Sequence, residues 1–301
     1  MSSNNWIMIW CGLEMSLICF VPILSSKSII SSESSIIYFI IQGISSSILM
    51  SGIMMMMFNL LNMNLLILIS LMIKMGVIPF HNWLMIIIEG MSFNSIFMLL
   101  VVLKIAPLTL FTYFNFNLMI IIVMNLVLGS ILGLNQSSLR KILVYSSIFN
   151  MSLILMLINF NFLWLFYLFI YSNLMFMLVS FFNFFSFNYI NQIVMNNDLI
   201  CKINLWFVLL SMSGMPPMLG FMLKLIVIEL LIFQFKYLIL FVLIMSSLLL
   251  MFFYMRLMFV SMLFFHLIYK MSLFKINNFS SFFILFNFLG LYIMMYSKMF
   301  I

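Results

Sequence analysis

The sequence is poor in charged residues. Only 6% of its 301 residues are Asp, Glu, Lys or Arg, and 67% are hydrophobic. A typical soluble domain has about 25% charged and about 45–50% apolar residues. A soluble protein of this length could not cover its surface with so few charges, and a disordered chain would be far less apolar. The composition therefore predicts a polytopic membrane protein with short loops.

Cysteine and histidine are also scarce. The three cysteines, Cys11, Cys19 and Cys201, form no pair with metal-binding or redox spacing, and His81 and His266 are the two histidines of the sequence. Haem and iron–sulfur groups need more ligands than this. We therefore expect no metal, no cofactor and no redox centre in this chain.

Residues with GC-rich codons are rare. The sequence has one alanine, two arginines, ten glycines and five prolines, but 34 methionines and 37 phenylalanines. This bias fits an AU-rich code with a second methionine codon, and it predicts an organelle genome, most simply a mitochondrial one. Residues 1–10 have no basic region, no A-x-A site and no Arg-rich stretch, so we expect no cleaved signal or transit peptide.

Long apolar runs separated by polar clusters predict an all-α polytopic fold. The runs are continuously apolar, which is not typical of a β-barrel. A membrane helix needs about 20 such residues, and we expect residues 1–301 to form a single membrane domain. The run 204–232 is too long for one straight span and contains Pro216 and Pro217, so this helix is predicted to be broken. The predicted spans, about ten, are 5–24, 36–58, 64–82, 92–112, 118–134, 141–158, 162–182, 204–232, 238–262 and 278–297.

Basic residues are shared unequally between the two membrane sides that these spans define. Six lie on one side and two, Lys236 and Lys298, on the other. The positive-inside rule makes the first side the matrix and predicts an N-terminus on the intermembrane-space side. The net charge of +7 comes from basic residues scattered singly, so we expect no nucleic acid partner. The six are Lys27, Arg140, Lys141, Lys202, Lys270 and Lys275, in or beside loops near 25–35, 135–140, 183–203 and 263–277; loop 83–91 lies on the same side.

Four charged residues stand out inside the predicted spans: Glu14, Lys74, Lys104 and Lys224. A charge near the middle of a span costs at least about 2.5–3.5 kcal/mol on insertion scales, and four unpaired charges would cost on the order of 10 kcal/mol. We therefore expect Glu14 to pair with Lys74, and the lysines to line wet cavities or to become neutral. A lysine that can lose and regain its proton is what a proton relay requires.

Each of these residues also has a plainer interpretation, which the sequence leaves open. Lys74 or Lys104 could be held by backbone carbonyls, Glu14 could serve packing alone, and Lys224 could reach the membrane interface after a kink. His81 lies near a span end, where an interfacial role is as plausible as a relay role.

Other charged residues have simple expected roles. Glu33 and Lys27 are predicted to form a solvated loop pair, and Glu89 to lie in a short loop, as a cap or a loop residue. Glu229 is expected to pair with a polar neighbour near a helix end. Arg140 and the lysine after it first of all signal orientation.

Five ordered segments of the chain resemble a known family. They are WCGLEMSLICFVPIL (10–24), KMGVIPFHNW (74–83), KIAP (104–107), GLNQSSLRKILVYSSI (133–148) and LSMSGMPPMLGFMLK (210–224). Together they are similar to the subunit 2 family of mitochondrial NADH dehydrogenases. These are antiporter-like membrane subunits of respiratory complex I, related to Mrp-type cation/proton antiporters. The resemblance covers about residues 5–260.

The resemblance implies roles for the four charged residues. In the family, a glutamate in the LEM motif, here Glu14, pairs with a lysine on a broken helix, here Lys74 in the segment 64–84. A central lysine in the K-x-A-P motif, here Lys104, links two half-channels. Lys224, on the second broken helix, leads to the outer exit, and His81 matches a histidine often placed along the same axis.

The resemblance also implies partners and cofactors. NAD, FMN, iron–sulfur clusters and ubiquinone belong to partner subunits of the complex. Expected neighbours are the complex I membrane subunits 4 and 4L, accessory subunits and lipids such as cardiolipin. Vertebrate relatives carry a further span before the LEM motif, so we expect an antiporter-like fold that lacks N-terminal helices.

The leading hypothesis is therefore a core subunit of proton-pumping NADH:ubiquinone oxidoreductase in the mitochondrial inner membrane. It would carry protons along a buried Glu/Lys axis and hold no redox centre itself. Two alternatives remain: a stand-alone cation/proton antiporter, which could use the same charges, and a structural membrane subunit that pumps nothing.

Overall fold

A computed structural model describes most of the chain, in residues 5–25, 28–58, 64–114, 118–160, 162–195, 199–216 and 218–262. The described residues are helical, apart from turns and one isolated antiparallel bridge between Ser138 and Tyr189. The predicted span 278–297 and the loop 263–277 lie outside these ranges. The chain divides into two compact units, residues 1–125 and 126–301.

The first unit is built around the long helix α2, which packs against α1, α3 and α4. A π-helical turn, Met98–Val102, joins α5 to α6. The first six helices are α1 (Trp6–Leu24), α2 (Ile29–Met57), α3 (Asn64–Met75), α4 (Asn82–Gly90), α5 (Phe93–Phe97) and α6 (Leu103–Phe111). Helix α7 (Met119–Leu134) runs across the boundary between the two units.

The second unit has α8 in its interior. In the apolar membrane-spanning stretch of α8, 78% of the residues are buried, whereas the corresponding share in α12 is 33%. A short 3-10 helix, Ile190–Met195, precedes α10. The helices of this unit are α8 (Leu139–Leu157), α9 (Leu163–Phe184), α10 (Leu199–Ser213), α11 (Leu219–Phe233) and α12 (Tyr237–Met262).

Six helical segments in the described part of the chain are long and apolar enough to cross a membrane. They are α1, α2, the continuous segment from α5 to α6, α8, α9 and α12, and α3, α7 and α10 contain shorter apolar stretches. Many large hydrophobic side chains on these helices are exposed, such as Ile18 on α1 and Phe252 on α12. In water such surface would be strongly unfavourable, whereas lipid accommodates it. The chain is a multi-pass, all-helical membrane protein.

The predicted start of the second span is wrong. Helix α2 begins at Ile29, seven positions before the expected start at 36, so Glu33 is helical and the expected loop pair with Lys27, which lies outside the described residues, is not supported. The serines of this segment suggested a loop, but their hydroxyls donate to carbonyls three residues earlier, as Ser34 does to Ser31 at 2.8 Å. Ser28 caps the helix by accepting from the N–H of Ser31. Helical geometry thus satisfies the polar groups that suggested a loop.

The loop predicted at 83–91 is also wrong. Helix α4 covers Asn82–Gly90 and contains Glu89. Trp83, Leu84, Ile87 and Ile88 form its buried face, so the segment has a helical apolar stripe that the polar residues around it hide in the sequence.

Helix boundaries differ again near residue 200. The segment 183–203 was predicted to be a loop, yet α10 begins at Leu199 and includes Lys202, which is only 2% exposed. The predicted run 204–232 is divided between α10 and α11, with residues 214–218 between them. Gly214 there adopts a φ of +75°, a conformation that ends an α-helix and that glycine reaches without a Cβ clash.

Candidate functional site

Lys74 lies at the end of α3, where the helix is interrupted. Gly76 adopts a φ of +64°, and the N–H of Val77 donates to the carbonyl of Met72 at 3.2 Å. The next free backbone donor, the N–H of Ile78, is bound by Oδ1 of Asn125 at 2.9 Å. The non-helical backbone is thus satisfied inside the protein, which is the condition for such backbone at membrane depth.

Glu14 on α1 is the acidic neighbour of Lys74. Both side chains are half-buried, and the carboxylate of Glu14 lies close enough to act electrostatically on the ammonium group of Lys74. An opposite charge favours the ionised form of both groups. The pairing expected for these two residues stays a prediction.

Lys104 is almost fully buried, with 3% of its surface exposed. It lies in the first turn of α6, directly after the π-helical turn and three residues before Pro107. Proline has no N–H to donate to the carbonyl four residues earlier, which is that of Leu103. The lysine therefore occupies a stretch of helix whose regular hydrogen bonding is disturbed on both sides.

One cavity in the first unit brings the two lysines together. It has a volume of about 30 Å³, and both Lys74 and Lys104 line it. A water molecule needs roughly 10–15 Å³ measured this way, so the cavity has room for one or two. Its other polar lining residues are Ser16, Tyr38, Gln42 and Trp83. His81, at the N-terminal cap position of α4, does not line this cavity.

Gln42 connects α2 to the interrupted segment. Its side-chain amide donates to the backbone carbonyl of Lys74 at 3.4 Å, across the contact between α2 and α3. Lys74 thus stands at a helix end that is held at two places, by Gln42 at Lys74 itself and by Asn125 at Ile78, within the interruption.

Lys224 is the one of the four candidate relay residues that lies in the second unit. It lies on α11, is 8% exposed, and its Nζ donates to the carbonyl oxygen of Ser213 at 2.5 Å. The same atom is 5.9 Å from the centre of the Phe149 ring, in a cation–π arrangement. A Cβ on Gly214 would lie 2.7 Å from Cε of Lys224, so the lysine side chain fills the space that this glycine leaves.

Arg256 on α12 was not singled out from the sequence, although it lies inside a predicted span. Its guanidinium donates to the carbonyls of Leu134 at 2.5 Å and Gln136 at 2.8 Å. These carbonyls lie at and just beyond the end of α7, where a positive charge also meets the negative end of the helix dipole. Its charge inside an apolar run was the signal that the sequence offered. Hydrogen bonds from the guanidinium to the two backbone carbonyls explain how the protein tolerates this charge.

A cluster of buried hydroxyl and amide groups in the second unit was also missed. Tyr167 donates to Oδ1 of Asn150 at 2.8 Å, and Nδ2 of Asn150 donates to the carbonyl of Ser146 at 2.9 Å. Tyr171 lies beside Ser147, and Tyr254 lies beside Ser146. The spacing of Ser146, Ser147 and Asn150 on one helix was the only hint in the sequence, and it is a weak one.

Among the described residues, no group of three or more His, Cys, Asp or Glu side chains is arranged to hold a metal ion. Cys11 and Cys19 are both exposed on α1 and carry free thiols. The charged residues that are buried in the described part of the chain are the lysines Lys104, Lys202 and Lys224, whose chemistry is proton exchange and hydrogen bonding.

Comparison with known proteins places this architecture in a family. The family model NADH:quinone oxidoreductase/Mrp antiporter, TM, matches residues 3–250. NADH-ubiquinone oxidoreductase chain 2 of Anopheles gambiae is 42% identical over 245 residues, which cover 76% of this chain and 71% of that protein. A similar fold occurs in respiratory complex I from Thermus thermophilus, with a TM-score of 0.82, 16% identity and coverage of 98% of this chain and 75% of that chain. It also occurs in an Mrp complex from Dietzia sp., with a TM-score of 0.73, 16% identity and coverage of 84% and 55%. The chain therefore belongs to the NADH:quinone oxidoreductase/Mrp antiporter transmembrane family and is a relative of NADH-ubiquinone oxidoreductase chain 2.

Proposed function

We propose that this chain is a core membrane subunit of proton-translocating NADH:ubiquinone oxidoreductase in the mitochondrial inner membrane. Its N-terminus faces the intermembrane space, and its neighbours are other membrane subunits of the complex, with subunits 4 and 4L as the first candidates. It spans the membrane about ten times, in a single membrane domain with interruptions around 64–84 and 204–232. NADH oxidation and ubiquinone reduction take place in partner subunits.

The observation that carries the proposal is the cavity that Lys74 and Lys104 share. Lys74 is half-buried and Lys104 almost fully buried, and two amines that line one space with room for water can exchange a proton through it. Glu14 acts electrostatically on the ammonium group of Lys74, so movement of charge near Glu14 changes the field at this lysine. This is a means by which a distant reaction can control the transfer.

The proposed sequence of transfers begins at Lys74, which takes a proton from the matrix side. Lys104 receives it, and Lys224 passes it outward in a later step. Lys224 suits a terminal position because its Nζ is held by a backbone carbonyl and an aromatic ring, which stabilise a positive charge while it waits. We include His81 as a possible further member at the interruption that follows Lys74.

The test is Lys104→Met in the assembled complex. Methionine keeps a similar length and apolar stem but cannot carry a proton. Loss of a positioned proton-transfer group costs on the order of 10²-fold or more in the step that it serves. We therefore expect both coupled NADH oxidation and the number of protons pumped per NADH to fall, measured with reconstituted vesicles and a pH-sensitive dye.

The matched control is Lys236→Met. This lysine lies in the turn between α11 and α12, outside both helices, so the same chemical change there should leave the proton stoichiometry at its wild-type value. A Lys104→Met complex that assembles and pumps with unchanged stoichiometry would contradict the relay and favour a structural subunit. Proton-coupled cation transport by the purified chain in liposomes would instead favour a stand-alone antiporter.

A further inference from the structure

One residue that lines the cavity of the first unit carries an indole N–H without a hydrogen-bond acceptor among the described residues. Trp83 is 6% exposed and lines the cavity, and its Nε1 has no hydrogen-bond partner among the described residues. A buried donor left without an acceptor costs about 1–3 kcal/mol. Tryptophan can only donate, so a species that satisfies it must offer a lone pair.

Tyr38 is a second residue with a polar group that lines the same cavity. It is 4% exposed, lines the cavity from α2, and its ring centre lies 6.3 Å from that of Trp83. Phe20 packs against the other side of Tyr38, at 5.2 Å between ring centres, and limits the movement of the phenol. A phenol hydroxyl can both donate and accept, so it complements a donor-only indole.

The polar groups around the cavity match the requirements of water. Protonated lysines donate, Trp83 donates, and Tyr38 does either, while a bound water accepts two bonds and donates two. Buried waters typically make about three hydrogen bonds, and the volume of about 30 Å³ admits one or two. An anion would also meet donors here, but the carboxylate of Glu14 acts on the same lysine and disfavours further negative charge.

We propose that Tyr38 and Trp83 are positioning residues that hold one or two waters between Lys74 and Lys104, and that this water carries the proton from one lysine to the other. The inference rests on the proposed function and names the groups that complete its central step. It assigns Tyr38 and Trp83 no proton of their own to deliver. Their role is to fix the oxygen of the water within reach of both amines.

The transfer balances without any further reactant. Nζ of protonated Lys74 gives a proton to the water oxygen, while an O–H proton of the same water, or of a second one, moves to the free electron pair on Nζ of neutral Lys104. Lys74 ends as the amine and Lys104 as the ammonium ion. The water is regenerated, and the net charge of the cavity does not change.

The experiment compares Tyr38→Phe with Tyr113→Phe in the assembled complex. Both remove one hydroxyl and keep the ring, but Tyr113 is 68% exposed and lies outside the cavity. We expect Tyr38→Phe to slow coupled NADH oxidation about 2- to 10-fold, the effect of one neutral hydrogen bond. The solvent deuterium isotope effect on the same rate should rise, because proton transfer then limits turnover. A purely structural loss would lower the amount of complex without changing the isotope effect.

Lys104→Met measured in parallel separates the two proposals. If Lys104→Met lowers proton pumping and Tyr38→Phe behaves like Tyr113→Phe, the water-holding role is overturned and the relay stands. If Lys104→Met leaves pumping unchanged, the relay fails and this inference fails with it. Support requires the slowed rate and raised isotope effect in Tyr38→Phe, together with a water within hydrogen-bond distance of Nε1 of Trp83 in a high-resolution map of the wild-type complex.

Discussion

Two helix interruptions in the described part of the chain place their lysines differently. In the first unit, Lys74 comes two residues before the positive-φ glycine, Gly76, and shares a cavity with a second lysine. In the second unit, Lys224 comes ten residues after Gly214, on the helix that follows the interruption, and its Nζ is bonded to the carbonyl of Ser213. In both units a glycine with positive φ ends a helix, but one lysine lines a cavity and the other is bonded to a backbone carbonyl.

The difference indicates what each lysine is suited to do. A lysine beside a cavity can change its partners as water rearranges, which favours rapid exchange of a proton. A lysine bonded to a backbone carbonyl and placed over an aromatic ring has fixed partners, which favours retention of a positive charge. The interruption in the first unit leaves space next to its lysine, whereas the lysine of the second unit fills the space that its interruption creates.

The largest expected effect is that of Gly220→Ala. Gly220 lies at the second interruption, where the backbone of α11 comes very close to that of α10. A Cβ on Gly220 would overlap the backbone carbonyl oxygen of Ser211, so α10 and α11 would have to separate. Gly76→Ala in the first unit is a milder change: its φ of +64° costs an alanine about 1–2 kcal/mol, but its Cβ would meet the side chains of Leu84 and Trp83, which can shift. Overpacking costs about 1–3 kcal/mol, and a clash with backbone lies at or above the upper end of that range.

The amount of assembled complex in native gels is the measurement for this prediction. We expect the order Gly12→Ala, Gly76→Ala, Gly220→Ala, from wild-type abundance to near absence. Gly12 is the control because a Cβ there would have no atom within 4 Å. Equal abundance of the Gly76 and Gly220 variants would show that the second interruption is not packed more tightly than the first.

Gly214→Ala should have a smaller effect and act through Lys224. The φ of +75° costs an alanine about 1–2 kcal/mol, and the new Cβ would lie 2.7 to 2.9 Å from Cε, Nζ and Cδ of Lys224. The lysine must then leave the carbonyl of Ser213. We expect the complex to assemble at reduced yield and to pump fewer protons per NADH.

A double variant tests whether that loss runs through the lysine. In a Lys224→Met background, Gly214→Ala should lower pumping no further, because the displaced group is already gone. An additional loss in the double variant would mean that Gly214 affects pumping by another route, and the idea that this interruption serves to hold Lys224 would be wrong.

The sequence predicted the charged residues of the site better than their surroundings. Lys74 and Lys104 stood out because a charge inside an apolar run has a large and local energetic cost. Tyr38, Gln42 and Trp83 have no such cost, and only tertiary packing brings them to the cavity that the two lysines line. Neutral polar residues therefore give little warning of their role in a membrane protein.

The predicted helix boundaries were wrong where a segment is polar in sequence but helical in the structure. The serines near residue 31 predicted a loop, because hydropathy counts a hydroxyl as polar even when it bonds to the preceding turn of its own helix. The π-helical turn Met98–Val102 could not be predicted, since its residues are uniformly apolar and carry no periodic signal. Lys202 appeared to be a loop residue because its burial depends on contacts distant in sequence.

The smallest expected effect is that of a substitution at Phe149. It tests whether the aromatic ring helps to hold the charge of Lys224 in place. Phe149→Leu removes the ring 5.9 Å from Nζ of Lys224 but keeps an apolar side chain in the core. A cation–π contact contributes about 0.5–2 kcal/mol, so backbone amides of α11 should lose protection by about that much in hydrogen exchange of the intact complex. The same substitution in a Lys224→Met background reports the loss of packing alone, and the difference between the two backgrounds is the contribution of the charge.

If the loss of protection is equal in both backgrounds, the ring serves only packing, and the retention of charge at Lys224 rests on the carbonyl of Ser213. A larger loss in the lysine background means that the second unit stabilises the ammonium form through two partners, which the cavity-lining lysines of the first unit are not expected to match.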